Sequence, residues 1–390
     1  MRRMLTTVLA LAMMAIGATS TGAALIPSRE TVPFFGLGAE HGNISAAQRA
    51  TDLDRQAATG VGTMRENLRW NDIEPSPGKF DFTKLDAIVK DMAVRGLRIM
   101  PDLIYAPDFY TAKPAGATGS TQYPPKDPGS MAAFATKLVK RYGTHGTFWC
   151  KPLGLLAAIG LANKDCVKPY LPVTTWQVWN EPDFPAWWGG KPDAAAYTQL
   201  LTVVSKAIHK ADRHAMVMTA GLTNRVVSTT DYLDQLYNDG AAKSFDVLAF
   251  HPYGKTVSTV IDYIRLLRAA TVRHGDGKKP IALTEYGWAD GGKNSDFITT
   301  TNCQAALIYA LTRKLSDMSL ELGIRSIYDF YWNDQPAGKS TAWPFFAGMV
   351  KTTGTAKPAL GAFTAAVRNQ PPPEGLTLEA ACPPDRQSTT

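Results

Sequence analysis

Metal-binding signatures are missing from this sequence. Its four cysteines, Cys150, Cys166, Cys303 and Cys382, include no C-x-x-C pair, and no Cys/His cluster accompanies its six histidines. A metal site is therefore not expected. No dense Lys/Arg run or nucleic-acid motif occurs; the net charge of +7 is small for 390 residues and points to no nucleic-acid partner. A basic excess of this size favours acidic polymers only weakly. No G-x-G-x-x-G follows the first predicted strand, so a dinucleotide cofactor is unsupported. Beyond the extreme N-terminus no segment reads as transmembrane. No repeat is visible apart from an alternation of strand-like and helix-like segments.

What is present is ordinary globular material, 45% hydrophobic and 19% charged. Residues 1–24 read as a secretory signal peptide: Arg2 and Arg3 precede an apolar stretch from Leu5 to about Ala18, followed by small residues through Ala24. An uncleaved anchor is the alternative. The expected location is secreted or envelope-associated, where disulfides are permitted. Four cysteines allow three pairings. Cys150 and Cys166 bracket one loop, which favours that pair and leaves Cys303 with Cys382. Nine Trp and fourteen Tyr suit a sugar-binding surface, although most belong in a core of this size.

Eight strands are predicted from short apolar or β-branched runs: Pro33–Ala39, Thr63–Asn67, Arg98–Ile104, Thr175–Trp179, Ala215–Ala220, Val247–His251, Ile281–Glu285 and Ser326–Tyr331. Amphipathic helical patterns lie between them: Ser45–Thr59, Phe82–Val94, Pro128–Tyr142, Ala194–Asp212, Thr229–Asp239, Val257–His274 and Thr300–Leu322, with Leu360–Asn369 last. Eight β-then-α units point to an α/β fold, a single-domain (β/α)8 TIM barrel over residues 25–370, with a doubly wound sheet as the competitor. Residues 371–390 read as a Pro-rich, loop-like tail. The insertion Gly143–Thr174 falls on the bottom face. The irregular stretch Ala106–Asp127 falls on the top face, where it can shape a cleft.

Active sites of such barrels collect at the C-terminal ends of the strands. Strand four runs Thr175-Trp176-Gln177-Val178-Trp179-Asn180-Glu181-Pro182, and strand seven runs Ile281-Ala282-Leu283-Thr284-Glu285-Tyr286-Gly287-Trp288. Each delivers a Glu to the rim. Two carboxyls facing each other are what glycosidic cleavage requires, one protonating the leaving oxygen and one attacking the anomeric carbon.

Asn180-Glu181-Pro182 together with Thr284-Glu285-Tyr286-Gly287 resembles clan A of the glycoside hydrolases, over nearly the whole mature chain. Trp179-Asn180-Glu181-Pro182-Asp183, the Arg65…Trp70…Glu74-Pro75 segment and His251-Pro252-Tyr253 look most like family 39, and next like family 5. The resemblance implies Glu181 as acid/base and Glu285 as nucleophile. It implies Asn180 on the sugar 2-hydroxyl, Arg65 at the end of strand two orienting the nucleophile, and His251 and Tyr253 as polar partners near it. It makes Trp332, at the end of strand eight, the aromatic floor under the reacting sugar. Many clan members carry a His near the end of strand three; here Ile104-Tyr105-Ala106-Pro107-Asp108 has none, and Tyr105 or Asp108 is left to fill that space.

Each residue has a plainer role to be weighed: structural ion pairs for the two Glu, a turn for Asn180, a core position for His251 and Trp332. Trp187 and Trp188, in a Gly-bounded top loop, read equally as a sugar platform or as a lid anchor. Asp183 and Asp334 lie near the rim without a catalytic assignment. The resulting expectation is an O-glycosyl hydrolase that needs no cofactor or metal and acts on a polysaccharide or oligosaccharide, in endo fashion if the top loop and paired Trp line a cleft. An envelope-polymer transglycosidase and a non-catalytic carbohydrate-binding protein are the rival readings.

Overall fold

A computed structural model describes residues 33–117, 119–150, 166–225, 228–338 and 340–389. The signal peptide read in the first 24 residues lies outside them. Eight parallel strands, β1 (Phe35–Ala39), β2 (Thr63–Arg69), β3 (Arg98–Ile104), β4 (Thr175–Val178), β5 (Met216–Met218), β6 (Leu248–Phe250), β7 (Ile281–Tyr286) and β8 (Ile324–Asp329), form one sheet. Its order is β5-β4-β3-β2-β1-β8-β7-β6, and the bridges Met218–Val247 and Leu222–Phe250 join β5 to β6. The doubly wound alternative is thereby excluded: this is a (β/α)8 barrel.

Its outer helices are α1 (Ala46–Thr59), α2 (Thr83–Ala93), α3 (Pro128–Tyr142), α4 (Ala194–Ala211), α5 (Thr229–Asn238), α6 (Val257–Arg273), α7 (Thr301–Asp317) and α8 (Pro358–Val367). Local chemistry starts them. The side chains of Ser45, Asp127, Asp193, Thr256 and Thr300 each accept a first-turn backbone N–H, and Pro128 opens α3 where a missing N–H costs nothing. The pattern read as one helix over Thr300–Leu322 is interrupted at Met318 and resumes as a short turn, Ser319–Leu322. Left-handed Gly323 then swings the chain into β8.

Alternation along the strands sorts side chains into two layers. One set packs outward against the helices in the main core, including Leu37, Met64, Leu103, Trp176, Leu283 and Ile327. The other set fills the barrel. At its lower level Met100, Met218, Val247, Ala249, Ala282 and Tyr328 form a separate apolar cluster.

The register of β7 against β8 departs from strict alternation near the mouth. Leu283 pairs with Ile327 and Tyr286 with Asp329, so Thr284 and Glu285 together oppose Tyr328 alone. This bulge re-aims the strand. Thr284 and Glu285 both meet partners at the mouth, while Tyr286 returns to the helix side and bonds Thr312 of α7.

Both expected disulfides are formed, Cys150–Cys166 and Cys303–Cys382. The second ties the C-terminal tail to the late helix α7, as the expected pairing implies. Within this Pro-rich, loop-like tail lies the Thr377-capped turn Leu378–Ala381. The Arg386 guanidinium donates to the carbonyls of Lys255, Asp296 and Ile298 at 3.2, 2.6 and 2.8 Å. The tail is thus fastened to the loops that follow β6 and β7. Among the described residues no helix is long and apolar enough to cross a membrane.

Candidate active site

The site begins inside β2. Arg65 was expected at the end of that strand, but the strand runs on through Arg69, because Asn67, Leu68 and Arg69 stay paired with Asp102, Leu103 and Ile104. Arg65 therefore sits mid-strand, buried, and its guanidinium spans the mouth from below. It donates to Gln177 Oε1 at 3.0 Å, Glu285 Oε1 at 2.7 Å, Asp102 Oδ2 at 2.8 Å and Asn180 Oδ1 at 2.8 Å. Four oxygens from three strands or their ends meet on one planar cation, which suits a delocalised guanidinium and no other side chain.

Glu285 is held at both oxygens. Arg65 takes Oε1, and the Tyr253 hydroxyl donates to Oε2 at 2.7 Å. Burial pushes this carboxyl up, but His251, Arg65 and Tyr253 together outweigh it and hold the group below its ordinary value. The carboxyl is therefore kept ionised. Burial and the adjacent Glu285 push the Tyr253 hydroxyl well up, so it remains a donor.

Glu181 lies beyond β4 on a strained backbone. Its φ is 42° and that of Trp179 is 72°, a left-handed region that non-glycine residues enter only when their surroundings insist. Those surroundings are on hand. Trp179 donates its indole N–H to the Trp187 carbonyl at 2.7 Å and packs edge-on against Trp188. Buried Asp183 accepts the Thr223 N–H at 2.6 Å, and desolvation beside Glu181 pushes the Asp183 carboxyl well up. His251 Nδ1 is 2.7 Å from Glu181 Oε1 and 3.6 Å from Glu285 Oε2, while its Nε2 is 2.9 Å from Thr284 Oγ1. The ring thus lies between the two glutamates, and its main partner is Glu181. Room for it is made by Gly221, where a Cβ would run into the imidazole.

One oxygen of each glutamate and a His251 nitrogen lie within 4.8 Å of one another. Three such donors could in principle hold a metal ion. Here the Glu285 oxygens already accept bonds from Arg65 and Tyr253, and a guanidinium 2.7 Å from Glu285 opposes a second cation. The donor set fits a proton-sharing arrangement better.

A cleft of about 490 Å³ opens over these residues, within the range of ligand sites. Arg65, Asn180, Glu181, Tyr253, Glu285 and Trp187 line it. Trp188, the neighbour of Trp187, does not; it is buried against Trp179 and Tyr197. Nor does Trp332, which is 2% exposed and lines an adjoining pocket. The β8 aromatics in the cleft are Phe330 and Tyr331. Tyr105 also lines the cleft, under the Arg69 guanidinium, whereas Asp108 pairs with Lys113 away from it. Asp334 is bound by Lys357. The Glu74 motif is structural: its carboxylate accepts from the Trp70 indole and the Tyr110 hydroxyl, clasping the loops after β2 and β3.

Residues 172–315 match the family model described as glycosyl hydrolase catalytic core, a span that runs from before β4 to α7 and contains both glutamates. That part of the chain is similar to glycosyl hydrolase catalytic cores. The fold of the whole chain is similar to that of a family 39 glycoside hydrolase from the gut symbiont Bacteroides cellulosilyticus WH2, with a TM-score of 0.62 and 16% identity over 87% of this chain and 64% of that one. It is likewise similar to a monomeric beta-xylosidase from Caulobacter crescentus CB15, at TM-score 0.60 and 18% identity over 85% and 67% of the chains. A third is the exo-beta-1,4-mannosidase Op5Man5 from Opitutaceae bacterium strain TAV5, at TM-score 0.56 and 18% identity over 86% and 59%. The chain thus spans about two thirds of the length of these structures or less. No curated protein matches it.

Several residues of the site carried no flag in the sequence. Asp102 sits inside β3, fully buried, with one oxygen on Arg65 and the other without a partner. Burial raises its carboxyl to about 7 against the pull of Arg65. Gln177, between two outward residues of β4, and Asn67, on β2, are likewise polar positions on the barrel-facing side. The signal available was a polar residue in phase with the inward positions of an apolar strand.

Proposed function

We propose that this chain is an exported retaining glycoside hydrolase in which Glu285 is the nucleophile and Glu181 the acid/base. The observation that carries the proposal is the pairing of the two carboxyls, with oxygens within 4.8 Å across one cleft. Retaining enzymes hold these groups about 5–5.5 Å apart, and inverting ones about 6.5–9.5 Å apart to admit a water. Environment separates their roles. Glu285, held ionised between Arg65 and Tyr253, forms a bond to the anomeric carbon as the bond to the leaving oxygen breaks. Glu181 gives that oxygen its proton. Glu181 then takes a proton from water as the water displaces Glu285. His251 orients Glu181, Arg65 and Tyr253 orient Glu285, and Asn180, fixed by Arg65, is placed to meet the sugar 2-hydroxyl. No cofactor or metal enters this scheme.

Two disulfides support export. Endo action on a polymer is supported by the adjoining pocket of about 390 Å³, which shares Ala39, Glu40, Tyr331 and Gln335 with the cleft, so the binding surface extends past one ring. Some of the structures it resembles are described as a xylosidase and a mannosidase; β-xylans and β-mannans are accordingly the first substrates to try. The test is digestion of a polysaccharide and aryl-glycoside panel, with proton NMR of the first product formed. Retained anomeric configuration, abolished in Glu285→Ala, is the expected result. An inverted product, or full activity in Glu285→Ala, would overturn the assignment.

A further inference from the structure

We propose that the cleft is electrostatically polarised for its substrate, accepting a neutral sugar on the β1/β8 side and an anionic group on the leaving-group side, at Arg225. The inference rests on the glycosidase reading, because the acid/base role of Glu181 decides which wall faces the leaving group.

The leaving-group wall follows β4 and β5. The Phe184 N–H donates to the Glu181 carbonyl at 3.0 Å, and the Arg225 guanidinium lies over the Phe184 ring, 4.7 Å from its centroid. Both residues line the cleft. A guanidinium resting over an aromatic ring still offers N–H donors to a planar anion. The other guanidinium lining the cleft, Arg65, is consumed by Glu285 and Asp102. Arg225 is exposed, and among the described residues no carboxylate pairs with it. It is therefore a pre-positioned positive charge on the acid/base side that no carboxylate among the described residues neutralises.

The opposite wall carries the opposite sign. Glu40 follows β1, across the barrel from β5, and lines both the cleft and the adjoining pocket. One of its oxygens accepts from Asn67 Nδ2 at 2.8 Å. A carboxyl beside a carboxamide offers acceptors and donors to adjacent sugar hydroxyls. The same carboxyl repels a uronate, since like charges in a partly desolvated cleft are poorly screened. The substrate class that fits both walls is a glycan in which a neutral sugar is linked to an acidic one.

The experiment compares 4-carboxyphenyl and 4-(methoxycarbonyl)phenyl β-glycosides of one neutral sugar, chosen from xylose, glucose, mannose and galactose. The ratio of kcat/KM for the carboxylate over the ester is read in wild type, Arg225→Gln and Arg225→Lys, which cancels the different reactivities of the two leaving groups. The expected ratio falls about tenfold in Arg225→Gln and is largely retained in Arg225→Lys. It also falls in wild type as NaCl rises from about 20 mM to about 0.5 M. Glu40→Gln raises turnover of the β-glucuronide ester relative to the β-glucoside ester. A ratio unchanged by Arg225→Gln overturns the proposal. Binding of the same pair, followed by tryptophan fluorescence, needs no turnover. If no glycoside is hydrolysed but the carboxylate binds more tightly in an Arg225-dependent way, the glycosidase reading fails and the polarity stands. Equal binding by wild type and Arg225→Gln, or no binding by either, overturns the polarity.

Discussion

The lower and upper levels of the barrel interior are built on the same strands and obey opposite rules. Below, Met100, Met218, Val247, Ala249, Ala282 and Tyr328 exclude polar atoms almost entirely. Above, Arg65, Asp102, Glu181, His251, Tyr253 and Glu285 are just as buried and carry charge or a proton in every case. Met100 and Asp102 are two residues apart on β3 and share a face, so one step along the strand crosses from one regime to the other. The lower level gains stability from apolar burial. The upper level spends some of it: buried ions recover their desolvation only where geometry is good. The strain at Trp179 and Glu181 and the unpartnered Asp102 oxygen are the visible cost.

Substitutions in the two levels should separate cleanly. The largest effect is expected for Glu285→Gln, which should lower kcat/KM by on the order of 10⁴-fold or more while thermal unfolding shows an intact fold. Glu181→Ala should cost about 10²- to 10⁴-fold. Added azide should restore turnover of an activated aryl glycoside in that variant and leave wild type unaffected; absence of rescue would count against the acid/base assignment. Below, Met218→Ala should destabilise by about 2–5 kcal/mol in urea unfolding, with little change in the pH dependence of turnover. A large catalytic effect there would erase the division between levels.

The smallest effect concerns Asp102. Its carboxyl is raised from 3.8 to about 7 by burial, so between those values the folded state binds the proton that the unfolded state has lost. Stability from this group is then present at low pH and lost as pH rises toward 7. Asp102→Asn cannot titrate, and its unfolding free energy should fall less steeply across that window than that of wild type. Identical slopes would mean that Arg65 keeps Asp102 ionised throughout.

Much of this protein was legible in its sequence. Eight strands and the helices between them follow from periodicity and caps, and strand-end position together with the Asn180-Glu181-Pro182 and Thr284-Glu285-Tyr286-Gly287 motifs makes Glu181 and Glu285 the candidates. Both cysteine pairings follow from spacing. The sequence did not separate Trp187 from Trp188, which share a loop but not an environment. It placed Trp332 on the cleft floor, where Tyr331 and Phe330 stand instead. It set Arg65 at the end of a strand that continues four residues further.

These differences have a common physical basis. Periodicity and capping are local, so they determine which segments become strands and helices and which residues fall near a strand end. The bulge at Thr284 and Glu285, the single guanidinium that joins β2 to three other strands, and the opposed charges of Glu40 and Arg225 depend on register and closure between segments far apart in the chain. Residues such as Arg65 and Glu285, 220 positions apart, meet only when the barrel closes. Local patterns along the chain carry no record of that contact.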